Sequence, residues 1–288
     1  MLMVVAETTR AHRAGVSPQS GADARTGSTL TSTLAPLAFG FLLAFSCLTP
    51  AQAAIVADNP APGGQQPQIA NSANGTPQVN IQTPSGAGVS RNVYSQFDVD
   101  GRGVVLNNSH ASTSTQLAGM VAGNPNLAKG EARVILNELN TRDPSRLNGY
   151  IEVAGQKAQV VIANPGGISC DGCGFINASR ATLTTGQVQY SNGQISGYDV
   201  NRGEIIVQGG GLDASSVDST DLLARAVKIN AGVWAQELKV TAGRNQIDAA
   251  HSRTTAKSTD GSAAPAGAID VSALGGMDAH KIRLVGTE

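Results

Sequence analysis

Short apolar runs recur along the chain from residue 79 onward, and turns rich in Gly, Asn and Asp separate them. Runs of this length, alternating or continuously apolar, are typical of β-strands and too short for amphipathic helices. One segment differs, because Ser219-Thr220-Asp221 offers a helix N-cap before the apolar residues 222–227, so we expect one short helix or turn there. The pattern predicts an all-β protein. The runs are Val104–Leu106, Val134–Leu136, Val160–Ile162, Ile205–Val207, Leu238–Val240 and Ile282–Val285.

Short strands at this spacing can close a sandwich or stack as the coils of a solenoid, and periodicity alone does not separate the two. Asn recurs at the predicted corners. Amide side chains at equivalent corners of stacked coils can form ladders of hydrogen bonds, which favours the solenoid. The positions concerned are Asn107, Asn137, Asn164, Asn177 and Asn230.

The N-terminal region has the pattern of an export signal. Arg residues precede an apolar run, Leu34–Leu48, which Pro and Gly interrupt and which is short for a membrane span. An Ala-Gln-Ala sequence follows at 51–53. We therefore predict that residues 1–53 form an extended Sec signal peptide, cleaved between Ala53 and Ala54, with Cys47 discarded. The alternative is that the true start codon lies downstream of Met1.

Composition limits the classes of function. The chain is 41% hydrophobic and 14% charged, with a formal net charge of -1 and no basic cluster, so electrostatics gives no case for binding nucleic acid. Aromatic residues make up 3% of the chain and Gly occurs 34 times. This favours a core of Val, Ile, Leu, Ala and Thr in repetitive β structure.

Two cysteines remain after removal of the signal, Cys170 and Cys173. In an oxidising export route a disulfide is the expected state, and its role would be to hold a local turn. A zinc site would need two further ligands, and the remaining histidines are dispersed. A redox pair would need a helix N-terminus, whereas Asp171-Gly172 between the cysteines predicts a turn. The histidines are His110, His251 and His280.

Sequence signatures of enzymes are weak. The chain has no Gly-x-Ser-x-Gly, His-Glu-x-x-His or phosphate-binding loop. Asp98 and Asp100 could begin a calcium loop, but the twelfth position is Ser109 where Glu is required. Two acid pairs could be posed as glycosidase carboxylates, although sequence spacing fixes no distance between them. We expect no catalytic residue, no metal and no cofactor. The pairs are Asp199 with Glu204 and Asp213 with Asp218.

Two Asn-Pro motifs carry the most information. They are Asn124-Pro125-Asn126-Leu127 and Asn164-Pro165-Gly166-Gly167-Ile168. Asn before Pro adopts extended geometry and its side chain can bond nearby backbone, so each motif predicts a tight corner at the end of a strand. Their pairing in this order, in a Gly- and Asn-rich, aromatic-poor chain, resembles the N-terminal secretion (TPS) domain of two-partner-secreted exoproteins. That family includes filamentous haemagglutinins, haemolysins and contact-dependent inhibition toxins.

The resemblance extends from about Ile55 to the end of the chain. It includes the segments Gln78–Pro84, Gly88–Val99 and Gly103–Ser109. One departure is Gly166, where the family usually carries Asn or Tyr. The resemblance implies a right-handed parallel β-helix with an N-terminal cap and extra-helical hairpins, formed by residues 79–288. It further implies that the Pro/Gly-rich segment 54–78 packs on the cap and that a longer exoprotein continues from this domain.

The resemblance also implies a function. The two Asn-Pro motifs would be secretion motifs, read when the unfolded chain meets the POTRA domains of a TpsB-type outer-membrane transporter after Sec export. The protein would fold at the cell surface of a Gram-negative bacterium, and downstream regions could meet receptors on host or neighbouring cells. Two alternatives are a free-standing adhesin or carbohydrate-binding β-helix, favoured by a solvent-facing aromatic ladder, and a pectate-lyase-like hydrolase, which needs acids and an Arg on one face. Trp234 and four Tyr are the available rings for such a ladder.

Overall fold

The computed structural model describes residues 2–6, 54–258, 260–272 and 275–287. These residues form short strands and two 3₁₀ turns, Gly63–Gln65 and Pro125–Leu127, and they include no helix long and apolar enough to cross a membrane. The strands are β1 Leu2–Ala6, β2 Ile55–Ala57, β3 Gln68–Asn71, β4 Pro77–Asn80, β5 Val89–Phe97, β6 Val104–Asn108, β7 Thr113–Thr115, β8 Gly119–Val121, β9 Val134–Leu139, β10 Ser145–Leu147, β11 Tyr150–Gly155, β12 Ala158–Ala163, β13 Ile168–Ile176, β14 Ala178–Thr184, β15 Gln187–Ser191, β16 Gln194–Val200, β17 Glu204–Ala214, β18 Ser219–Ala224, β19 Ala226–Ile229, β20 Gly232–Ala242, β21 Asn245–Asp248, β22 Thr254–Ala256, β23 Ile269–Val271 and β24 Gly276–Gly286.

Parallel pairing between successive coils arranges most of these strands in three ladders. Ladder 1 runs through β4, β6, β11, the ends of β13 and β17, and the starts of β20 and β24. Ladder 2 runs through β5, β9, β12, β14, β18 and the ends of β20 and β24. Ladder 3 runs through β10, the starts of β13 and β17, β19 and β23. The fold is therefore a parallel β-helix, which confirms the predicted fold class.

Glycine makes the sharp change of direction between ladders 3 and 1 possible. Within β13 the register shifts between Asp171 and Cys173, and Gly172 between them has φ 74°. The adjacent coil bends in the same place at Gly209 and Gly211, with φ 53° and 78°. Residues other than Gly rarely adopt such φ angles, so these positions fix where each coil turns.

Aliphatic residues stacked in register form the core. Val104, Ile151 and Phe175 occupy one such row across three coils of ladder 1, and each side chain is at most 1% exposed. Because neighbouring strands lie about 4.8 Å apart, each buried side chain packs on its equivalents above and below. The coils therefore bury apolar area mainly against each other, as in other solenoids.

Antiparallel elements surround the ladders. At the N-terminal end β2 pairs with β5 and β3 pairs with β4, while β7 and β8 form a hairpin. A four-stranded sheet of β15, β16, β21 and β22 packs on ladder 2, where Tyr198 and Ile247 contact a second apolar cluster with Leu136, Val161 and Leu223. We call this sheet the clasp. These elements agree with the predicted extra-helical hairpins.

The predicted helix after Ser219 is wrong. Residues 219–224 form β18 and residues 226–229 form β19, which belong to different ladders. Leu222 faces the central core and Leu223 faces the apolar cluster under the clasp, so both sides of the strand are buried. An apolar run buried on both faces cannot be told from a helix by its period. Parallel pairing with β14 and β20 decides the outcome here.

The Asn residues bind coils together, but mostly not as amide ladders. Asn107 Nδ2 donates to Asn80 Oδ1 at 2.9 Å, an amide-to-amide bond between adjacent coils. Asn137 and Asn177 instead donate to main-chain carbonyls of neighbouring coils, at Val161 and at Val153 and Gly155. Asn230 lies exposed on the surface.

Most of the predicted signal peptide, including Ala53 of the predicted cleavage site and Cys47, lies outside the described residues. Its β1 segment pairs antiparallel with β24, with Leu2 opposite Gly286. Cleavage after Ala53 would therefore remove the strand that covers this edge of β24.

Candidate functional site

The first Asn-Pro motif joins three segments of the chain at one buried side chain. Asn124 is 2% exposed, and its Nδ2 donates to the carbonyls of Ile81 and Asn107, both at 2.9 Å. Its Oδ1 accepts from the main-chain N–H of Asn126 at 3.0 Å. The same side chain thus closes the corner and satisfies two carbonyls in the preceding coils, which would otherwise lack these donors.

The rest of this motif anchors the corner. Pro125 begins the 3₁₀ turn, where its missing N–H costs nothing. Asn126 Nδ2 donates a second bond to the Ile81 carbonyl at 3.0 Å, and Leu127 is 1% exposed in the core. Each residue of the motif therefore has a definite structural contact or position in the folded protein.

The second motif repeats the scheme on a later coil. Asn164 is fully buried, and its Nδ2 donates to the Asp143 carbonyl and to Ser145 Oγ, both at 3.0 Å. Its Oδ1 accepts from the N–H of Gly166 at 2.8 Å. Ile168, at the start of β13, is 1% exposed in the core. The two motifs share one geometry, in which an amide closes a corner and ties it to an earlier part of the chain.

Gly166 and Gly167 fit the second corner for different reasons. A Cβ on Gly166 would lie 2.7 Å from the carbonyl carbon and oxygen of Arg142, which are main-chain atoms and cannot move aside cheaply. Gly167 has φ 120°, which side-chain-bearing residues rarely adopt. Gly at position 166, where this chain departs from the family pattern, therefore leaves room for the loop before β10, which passes close to it.

Pro165 lines a surface groove of about 380 Å³. The segment with Asp58 and Gln65 forms one side of the groove, and Arg91 and Glu138 lie in it as an ion pair at 2.8 Å. The first motif bonds elsewhere, near Ile81 and Thr83. Each motif thus has its own surroundings in the folded protein. Sequence reasoning identified the corners but not the acceptors that they reach.

Cys170 and Cys173 are joined by a disulfide, with Cα atoms 5.3 Å apart. Both residues are at most 1% exposed and belong to the central core. The bridge spans the bend of β13 at Gly172, so it holds the change of direction between ladders 3 and 1.

The acidic residues considered for catalysis or calcium binding each have a protein partner of their own. Asp98 accepts from the Arg146 N–H at 2.8 Å, and Asp100 pairs with Arg102 at 2.7 Å. The described residues contain no group of His, Cys, Asp and Glu that could hold a metal ion. The partners of the remaining acids are Lys257 for Asp199, Lys228 for Glu204, Tyr150 for Asp213 and Lys157 for Asp218.

A buried charge cluster under the clasp was not foreseen. Asp221 and His251 are 2% and 3% exposed, and Arg180 Nε donates to Asp221 Oδ2 at 2.7 Å. His251 Nδ1 lies 3.1 Å from Asp221 Oδ1 and 2.8 Å from Arg180 Nη2. Burial alone would raise the pKa of Asp221, but hydrogen bonds and charges of His251 and Arg180 lower it overall. Asp221 and His251 lie 41 and 71 positions from Arg180 in sequence, and no local sequence pattern predicts that they meet.

Comparison with known proteins establishes the family. The family model of the TPS secretion domain matches residues 53–288 of the sequence. The chain belongs to this family. This TPS secretion domain is 64% identical to the "Toxin CdiA" of Yersinia pestis over 289 residues, covering 100% of the chain and 9% of that toxin. It is 48% identical over 228 residues to the "tRNA nuclease CdiA-2" of Burkholderia pseudomallei, covering 78% of the chain and 7% of the relative.

The fold agrees with a solved relative. The crystal structure of the filamentous hemagglutinin secretion domain aligns with a TM-score of 0.70 and 38% identity, covering 77% of this chain and 75% of that one. The chain spans less than a tenth of the curated relatives named above. It is therefore similar to the secretion portion of CdiA-like and filamentous-haemagglutinin-like exoproteins, as the sequence predicted.

Proposed function

We propose that this TPS secretion domain is read by its transporter as an unfolded chain and then nucleates a β-helix outside the cell. In this proposal the chain leaves the cytoplasm through the Sec translocon and loses residues 1–53 by cleavage between Ala53 and Ala54. POTRA domains of a TpsB-type outer-membrane transporter then capture it in the periplasm.

The burial of the motif amides carries this proposal. Asn124 and Asn164 are 2% and 0% exposed, and each side chain uses both its oxygen and its nitrogen in internal bonds. A partner can reach these amides only before the corners close. Recognition of Asn124 and Asn164 therefore requires an unfolded chain, and folding hides these two side chains once they have been read.

The topology supports the same order of events. Every ladder is parallel, so its contacts join residues far apart in sequence, and such pairing is slow to begin because loop closure opposes it. A finished coil presents a ready edge to the following one. Folding outside the membrane can then favour outward transit without nucleotide hydrolysis.

We further propose that the domain itself is non-enzymatic and that downstream regions of a larger adhesin, haemolysin or contact-dependent inhibition toxin act on receptors of host or neighbouring cells. The partners of the candidate acids and the absence of a metal-binding group among the described residues support this.

The test is a secretion assay with and without the partner barrel, combined with binding of its isolated POTRA domains. We expect POTRA domains to bind the urea-unfolded chain after dilution, and to bind the prefolded chain at least tenfold more weakly. Asn124→Ile should lose binding in the unfolded state, whereas Met120→Ala, at an exposed position of β8, should not. Equal binding to folded and unfolded protein, or undiminished binding of Asn124→Ile, would contradict the proposal.

A further inference from the structure

A row of residues outside both Asn-Pro motifs crosses ladder 1. Tyr150 is in register with Gly174, Gly174 with Asp213, and Asp213 with Trp234. The row therefore runs along the stacking direction, with about 4.8 Å between successive members. Trp234 is 44% exposed and is the one Trp of the chain.

Glycine lets both aromatic rings lie against the backbone. A Cβ on Gly232 would be 2.6 Å from Cζ2 and Cη2 of Trp234, and a Cβ on Gly211 would be 3.1 Å from its Cζ3. A Cβ on Gly174 would collide with the Tyr150 ring. Each ring rests on a surface that only Gly leaves open, so its position is set by the fold rather than by its own rotamer alone.

Between the rings stands a carboxylate that is held in place. Asp213 Oδ2 accepts from Tyr150 Oη at 2.7 Å, and Oδ1 accepts from Ser215 Oγ at 2.6 Å and from its N–H at 3.1 Å. Partial burial raises the pKa of Asp213, but these hydrogen bonds lower it overall, so the group is ionised at neutral pH. An oriented carboxylate has further lone pairs free to accept hydroxyl protons.

The groove that these residues line has a volume of about 360 Å³, within the range of small-ligand sites. Besides the two rings and Asp213, the residues that line it are Ser215, Gly172, Gly210 and Cys173 of the disulfide. None of the described residues lining it is basic. Further acids stand nearby, because Asp278 is in register with Trp234 and Asp171 accepts from the Gly210 N–H at 2.8 Å.

We propose that this groove binds a neutral pyranose unit of an oligosaccharide. The C–H face of a pyranose packs on the exposed indole, whose π face is electron-rich, while a ring hydroxyl donates to Asp213. The acidic surroundings disfavour uronic or sialic acids, since the like charge of the nearby carboxylates opposes binding of an anion. This inference does not depend on the secretion function.

The single Trp provides a direct readout. We would titrate the purified protein with maltotetraose, cellotetraose, mannotriose and chitotetraose, and with tetragalacturonate as the acidic comparison, following Trp234 fluorescence. We expect a saturable change with at least one neutral oligosaccharide and none with the acidic one. No saturable change with any neutral sugar at concentrations up to about 10 mM, which is enough to detect a millimolar Kd, would overturn the proposal, as would binding of tetragalacturonate with equal affinity.

Variants assign the binding to the groove. By saturation-transfer NMR, Trp234→Ala and Asp213→Asn should each weaken binding at least about fivefold, which is the scale of one aromatic or charged contact. Met120→Ala, an exposed apolar residue of the β7–β8 hairpin, is the matched control and should bind as the parent does. Circular dichroism checks that each variant is folded. Undiminished binding by folded Trp234→Ala would place the sugar elsewhere and overturn the assignment.

Discussion

The side-chain nitrogen of Asn124 donates to the main-chain carbonyl of Ile81 at 2.9 Å, across 43 positions of sequence. The bond is buried, and a second one at the same distance reaches the carbonyl of Asn107. A residue that sequence reasoning valued for export is therefore also a structural tie between the first coils.

Replacing Asn124 should weaken the folded protein as well as export. Asn124→Ala removes the side-chain donor of the buried Asn107 carbonyl and leaves the Ile81 carbonyl with only its bond from Asn126, so we expect the free energy of unfolding to fall by about 1–3 kcal/mol. Asn126→Ala removes one partly exposed bond and should cost at most about 1 kcal/mol. Urea unfolding of the two variants measures this. Equal stability of Asn124→Ala and the parent would contradict the role of the amide as a tie.

The two variants also separate stability from recognition. If the motif is read by the transporter, Asn126→Ala should reduce secretion severalfold although its stability is nearly unchanged. Immunoblots of the culture medium and of periplasmic fractions measure the partition. Normal secretion of Asn126→Ala would confine the importance of this residue to folding.

Gly166 should not tolerate a side chain. In Gly166→Ala the new Cβ meets main-chain atoms of Arg142 at 2.7 Å, and such overpacking costs about 1–3 kcal/mol. Gly64→Ala is the control, because a Cβ there meets nothing within 4 Å, and we expect a change below about 0.5 kcal/mol. Thermal unfolding compares the two. A Gly166→Ala protein as stable as the control would show that the loop before β10 moves aside.

Mass spectrometry without reduction should find the exported protein lighter by the mass of two hydrogen atoms, because Cys170 and Cys173 are paired. Since the bridge closes a very short loop, reduction should cost no more than about 2 kcal/mol of stability. Thiol labelling after unfolding in the absence of reductant checks the pairing. Two free thiols on freshly secreted protein would rule it out.

Acid should loosen the clasp through Asp221. The pKa of this carboxylate is lowered in the folded state below its ordinary value of 3.8. Its stabilising contribution is therefore complete above about pH 4 and is lost as the pH falls through the folded pKa. Asp221→Asn should be less stable than the parent at pH 7, and the difference should shrink as the pH falls below 3.8. Denaturant midpoints measured across that range decide this, and a difference that stays constant with pH would contradict it.

Much of the fold was accessible from sequence because its signals are local. Apolar runs between Gly and Asn turns predict strands, and the Asn-Pro motifs form corners at the positions that the pattern predicts. The pattern of apolar positions does not separate a strand from a helix where both faces of a strand are buried, as at Leu222 and Leu223, since the run then loses its period.

Contacts between distant coils were beyond the reach of a single sequence. The Asn residues were expected to bond to each other, yet only Asn107 reaches the amide of a stacked partner, Asn80, among the five positions considered. Main-chain carbonyls are available to every coil and compete for the same donors. The acceptors of Asn164 and the cluster at Asp221 depend on register, which local patterns do not fix.

The pairing of β16 with β21 fixes the order in which parts of the emerging chain can fold. All of β17 to β20 lies between these strands, so the clasp can close only after two later strands of ladder 2 have been delivered. For a chain that leaves a pore with its amino end first, we expect closure of the clasp to prevent coils that have already formed from sliding back into the pore. Pulse-labelled hydrogen exchange during refolding would show it as late protection of Tyr198 and Ile247, after that of Val160 and Leu183; simultaneous protection would exclude such a device.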